Sequence, residues 1–171
     1  MAEKKTAELT VDEIITKTIY ATRLDCAQTP SDSFKATEKR LYAYPVIKEK
    51  IEHDKEMLER YKAGDKPAKS KSVVRFLKNG VRLSADEILD VLIQDITAKI
   101  AANEYEIETI DRAMEVIADD PYANVITSMY FEGKSAEEIS EEEDCDRSTI
   151  FRQKSRLVQR IATFLYGVSA L

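Results

Sequence analysis

Glycine and proline are scarce in this chain, four of each in 171 residues. So little turn chemistry argues against a fold of many strands and hairpins. Tryptophan is absent, and histidine occurs once, as His53 among Glu52, Asp54 and Lys55. That setting suits a solvated helix surface rather than a catalytic base or a ligand. The two cysteines, Cys26 and Cys145, lie far apart and match no metal spacing. A reducing, cytoplasmic setting is expected, with no metal and no cofactor. No apolar run approaches the ~20 residues that cross a bilayer, and nothing reads as a signal peptide, so no membrane partner is expected. A glycine-rich phosphate loop and a nucleophile elbow are both missing. The carboxylates from Glu137 to Asp144 lack the fixed loop of a cation site and read as a solvated acidic face. The chain is therefore not expected to be an enzyme.

What is present is helix-forming sequence. Hydrophobic residues make up 43% and charged residues 34%, a balance that fits a folded, helix-rich protein rather than a disordered one. The expected class is all-α. A polar start is followed by a helix from the Thr10/Glu13 capping box to about Leu24, broken by "AQTPSDS". A second helix runs from near Ser33 to about Lys62, with a kink or restart at Pro45. Tyr44, Ile47, Ile51, Leu58 and Tyr61 stand at heptad spacing along it, with Asp54 as the polar exception. "KAGDKPAKSKS" reads as a linker, and the segment after it as a short helix from Ser72 to Asn79-Gly80 or as a hairpin. Seven basic residues between Lys62 and Arg82 face only Asp65, a positive patch best read as solvated linker.

Ser84 and Glu87 open the longest helix, to about Ala118. Leu89, Ile93, Ile96, Ile100, Asn103, Ile107, Ile110, Met114 and Ile117 recur at spacings of four and three along it, a coiled-coil seam with one polar seat. Laid antiparallel on the preceding helix, Tyr44 meets Met114, Ile47 meets Ile110, Ile51 meets Ile107, Leu58 meets Ile100, and Asp54 falls opposite Asn103. A self-pairing homo-oligomer seam would use the same residues. Asp120-Pro121 ends this helix and opens the next, with Asp120 as cap. Ile126, Met129 and Tyr130 face inward, and Gly133 stops it.

The last stretch, "GKSAEEISEEEDCDRSTIFRQKSRLVQRI", is the most informative. Ser135 with Glu138 forms a capping box for a short helix from Ala136, with Ile139 pointing inward. Glu143, Asp144 and Cys145 form a turn, and Asp146 is a good N-cap for a helix from Arg147 to about Phe164. With Ile150 at the centre of the inner face, at about 100° per residue, Leu157 and Ile161 fall beside it. Ser148, Arg152, Ser155, Arg156 and Gln159 fall on the opposite face. From Cys145 onward five basic residues oppose one acidic residue, whereas from Glu132 to Asp144 seven acidic residues oppose Lys134. The net charge of −6 is thus split within one region, and distribution matters more than the sum. An apolar back, a basic and hydroxyl front and a tight turn have the form of a helix that enters the DNA major groove.

This stretch resembles region four of bacterial sigma factors, the helix-turn-helix that reads the −35 promoter element. Glu138, Ile139 and Ser140 hold the first part of that pattern, and Ser148, Thr149 and Ile150 the second. Asp144 stands where a glycine is usual and Glu143 where an apolar residue is usual. The whole chain also resembles sigma-like phage regulators of the RinA/ArpU type, through "LYAYPVIKEKIE" and "RIATFLYG". The resemblance implies a bacterial, phage or prophage transcriptional regulator, with double-stranded DNA as partner and contact with RNA polymerase. It implies that Arg147, Ser148 and Arg152, with Phe151 and Ser155 beside them, meet base edges. Thr149, Lys154, Arg156 and Gln159 would meet phosphates, Lys154 by snorkelling from near the inner face. Three parts are expected: an N-terminal helix and tail (1–31), a helical hairpin (32–118, linker 62–83) and the helix-turn-helix (119–171). Two rival readings stay open, a small terminase subunit assembled in rings and an adaptor whose seam binds a partner helix.

Overall fold

The computed structural model describes residues 32–65 and 84–170. The expected helix from Thr10, the breaker after it, most of the basic linker and the segment from Ser72 to Gly80 lie outside the described residues. Every regular element within them is helical, so the chain is all-α. Helix α1 spans Ser33–Lys62 and α2 spans Ala85–Glu115. Next come α3 (Ala123–Ile126), continued by a π-helical turn at Thr127–Phe131, then α4 (Ala136–Glu142) and α5 (Arg147–Tyr166). A 3-10 turn, Gly167–Ala170, closes the described chain.

Local chemistry accounts for most helix starts. Asp32 caps α1, its carboxylate accepting from the Lys35 N–H at 2.9 Å. Ser84 with Glu87 and Ser135 with Glu138 each form complete capping boxes for α2 and α4. Pro45 neither ends nor restarts α1; the helix is continuous across it. Proline removes one backbone hydrogen bond, and α1 is anchored on both sides of that gap by Leu41, 1% exposed, and Ile51, 5% exposed. Asp120 is not the cap of α3. Its carboxylate accepts from the Tyr122 N–H at 3.1 Å and its carbonyl from the Ala123 N–H at 2.9 Å, so it forms a turn and the helix begins at Ala123. The single support helix expected here is α-helical only for its first turn. Widening to a π-turn buries Val125, Ile126, Ser128, Met129 and Tyr130 together, a broader face than an α-helix offers. Gly133, at φ +72°, ends the element as expected.

Helices α1 and α2 lie side by side in opposite directions. Tyr44 donates to Asp111 at 2.6 Å toward one end, and Lys55 pairs with Glu104 at 3.0 Å further along. Ile51, Ile96 and Ile100 form one buried cluster with Ile47, Leu58, Tyr61 and Ile107 packed against it. The pairings of Ile51 with Ile107 and Leu58 with Ile100 thus fall within one cluster. Ile47 joins that cluster, whereas Ile110 belongs to the other. Asp54 and Asn103 line the same cleft, but the Asp54 carboxylate takes Lys50 of its own helix as partner, at 2.5 Å. An intrahelical lysine one turn away reaches Asp54 without any demand on the register.

The larger core gathers Leu41 of α1, Ile110 and Ala113 of α2, Ile117 in the turn after it, and Val125, Ile126, Met129, Tyr130, Ile139, Ile150, Leu157, Val158 and Ile161 of the C-terminal elements. This core runs without a break across the boundary expected at residue 118. The end of the chain also folds back: the Ala170 carbonyl accepts from Ser33 Oγ at 3.4 Å and from the Gln159 side chain.

Candidate nucleic-acid interface

Helices α4 and α5 are joined by a turn whose geometry follows from Asp144. It holds a left-handed backbone, φ +46°, which aspartate tolerates better than most residues. With Asp144 so bent, the Cys145 N–H reaches the Ser140 carbonyl at 3.1 Å, the long-range bond of a Schellman ending. Cys145 packs against the core, as expected of a small apolar side chain. Asp146 occupies the N-cap position of α5, but its side chain makes no capping hydrogen bond. Its carbonyl instead accepts from the N–H groups of Thr149, at 2.8 Å, and Ile150.

The buried side of α5 is formed by Ile150, Leu157, Val158, Ile161 and Ala162. On the outer side of its first nine residues Arg147, Ser148, Phe151, Arg152 and Ser155 are all exposed. These are the five residues expected at base edges, and the fold places them on one surface. Arg147 is not a free cation: it pairs with Glu137 of α4 at 2.6 Å and lies 5.4 Å from the Phe151 ring centroid. Arg152 meets no carboxylate among the described residues.

The four residues expected at phosphates are placed differently. Thr149 is half-buried. Lys154 turns inward, its side chain 18% exposed, and pairs with Glu38 of α1 at 2.7 Å. Glu38 also accepts from the Tyr130 hydroxyl at 2.7 Å. Burial alone would push the Glu38 carboxyl up, but hydrogen bonds from Lys154 and Tyr130 outweigh it and hold the group below its ordinary value. Burial, reinforced by Glu38, drives the Tyr130 hydroxyl well above its ordinary value. Arg156 forms a two-pronged pair with Asp120, both contacts 2.8 Å, and its Nε donates to Gln153. Gln159 donates to the Ala170 carbonyl. Arg160 joins the same carboxylate at 3.1 Å and donates to the Val116 carbonyl at 2.8 Å, capping the C-terminus of α2. The Asp120 side chain is 8% exposed. Its hydrogen bonds from Arg156, then the Tyr122 N–H and the charge of Arg160, lower its pKa to about 2 against the cost of burial.

The basic side of α5 therefore divides. The front two turns face outward, and the rear cations bind the helix to α1, α2 and the turn before α3. Sequence reasoning missed Glu38 and Asp120 as the acceptors, because nothing in a lone acidic residue marks which distant cation it will meet. No protein-family model matches this chain, and no curated protein or solved structure is significantly similar to it.

Proposed function

We propose that the protein is a sequence-specific double-stranded DNA-binding protein that regulates transcription, with α4 and α5 as its helix-turn-helix. The observation that carries this reading is the outward front of α5. Two arginines, two serines and a phenylalanine share it, and Arg152 is unpaired among the described residues. A helix anchored on its rear half by Asp120 and Glu38 can insert its front half into the major groove as a rigid unit. Arg152 supplies a fork that fits the O6 and N7 atoms of guanine. With Lys154, Arg156 and Arg160 held by internal carboxylates, few cations of α5 are left for phosphates, so affinity should be modest and base contacts should dominate it. By the sigma-like resemblance, the DNA would be a phage or prophage promoter, the effect activation, and RNA polymerase the protein partner.

The test is a titration of parent and Arg152→Ala on a site selected from random DNA and on unselected DNA. Arg152→Ala should narrow the gap between the two by about 1–3 kcal/mol and change non-specific binding far less. A variant that matches the parent on both DNAs would remove α5 as the reading head and favour an acidic protein partner for its basic front.

A further inference from the structure

Phe151 is the one large apolar residue on the outward front of α5, 43% exposed. Most other large apolar residues of that helix, Ile150, Leu157, Val158 and Ile161, are wholly buried. Its surroundings are specific. Ser148 lies one turn before it and Ser155 one turn after it, both small and exposed, so Phe151 and Arg152 stand proud of their neighbours along the helix. Arg147 lies over the ring, 5.4 Å from its centroid, while the Phe151 side chain stays exposed to solvent. An apolar ring presented beside a guanidinium fork, on a helix that can enter the major groove, fits one feature of base edges: the C5-methyl group of thymine.

Resting on the DNA-binding reading above, we infer that Phe151 is a specificity-determining residue that reads a thymine methyl group close to the guanine read by Arg152. Adjacent Cα atoms are about 3.8 Å apart and stacked base pairs about 3.4 Å apart, so the two bases lie within a step or two of each other. The target contains a guanine and a thymine in that proximity, and the methyl group itself contributes to recognition.

The experiment uses the full-length protein and the selected site, with each thymine replaced in turn by deoxyuridine, which removes only the methyl group. Each guanine is likewise replaced by 7-deazaguanine, which removes the N7 acceptor. For the parent, one uridine position should weaken binding about fourfold, the effect of withdrawing one buried methyl group. A 7-deazaguanine within two base pairs of it should also weaken binding. Phe151→Ala should bind more weakly than the parent and be indifferent to that same uridine, because the two changes remove one contact. Its melting curve should match the parent's, since the ring lies on the surface. Parent binding that no uridine substitution weakens would overturn the inference and leave the DNA-binding reading standing. Uridine sensitivity retained in Phe151→Ala would overturn it as well, by assigning the methyl contact to another residue. A parent that selects no site at all would overturn both.

Discussion

Asp120 shows how much one side chain can hold together. Its carboxylate receives Arg156, Arg160 and the Tyr122 N–H, and Arg160 passes the connection on to the Val116 carbonyl. The group has a pKa of about 2 in the folded protein, against about 3.9 for a free aspartate. A depressed carboxylate stabilises the fold fully above the unfolded value and loses that contribution as pH falls through the folded one. Asp120→Asn should therefore melt below the parent at neutral pH, and the difference should shrink between about pH 4 and pH 2. A difference that persists undiminished at pH 2 would assign the effect to shape rather than charge. Arg156 and Gln159 were legible as polar residues opposite the apolar side of α5, but periodicity gives only a direction. Whether a cation on that side meets water, phosphate or a neighbouring carboxylate depends on what packs beside it. Asp144 was legible for the opposite reason, since its left-handed backbone is a local demand of a short turn between two helices.

Among the elements, α1 and α2 follow their sequence patterns most closely. Capping boxes and heptad spacing are local, so both helices start where their caps stand and bury the expected sides. The polar seat at Asn103 is only partly explained. It is half-buried and shares a cleft with Asp54, yet Asp54 is satisfied by Lys50. Asn103→Leu should then add about 1 kcal/mol of stability through apolar burial, or change the state of association, since polar seam residues trade stability for pairing choice. Thermal melts and sedimentation identical to the parent's would show that this position has no part in the seam. The short element after α2 departed further from pattern, whereas α4 kept its capping box and its inward Ile139. The run Val125 to Tyr130 reads as one α-helix by spacing, but the need to bury five of its residues at once is met by a π-turn, which no local signal announces.

For the molecule as a whole, the central question is how a chain of net charge −6 could approach a polyanion. Its acidic side chains are placed to neutralise several of its own cations: Glu137 holds Arg147, Glu38 holds Lys154 and Asp120 holds Arg156 and Arg160. Of these, the Glu137–Arg147 pair is exposed and sits at the proposed reading front, so under that proposal it is the one that DNA would displace. Glu137→Gln should raise affinity for random DNA and steepen the salt dependence by up to about one unit of slope, because one more cation becomes available to phosphate. Affinity and slope equal to the parent's would place Arg147 outside the contact. The sequence by itself determined the all-helical class, the capping boxes at Ser84 and Ser135 and the side of each long helix that turns inward. These are set by residues within a turn or two of one another, through hydrogen bonds and periodicity that act at short range. Only the tertiary structure decided that one core joins the hairpin to the C-terminal helices, and which carboxylate each rear cation of α5 would meet. A long flexible side chain can reach many acceptors, and the choice among them rests with elements more than thirty residues away in the chain.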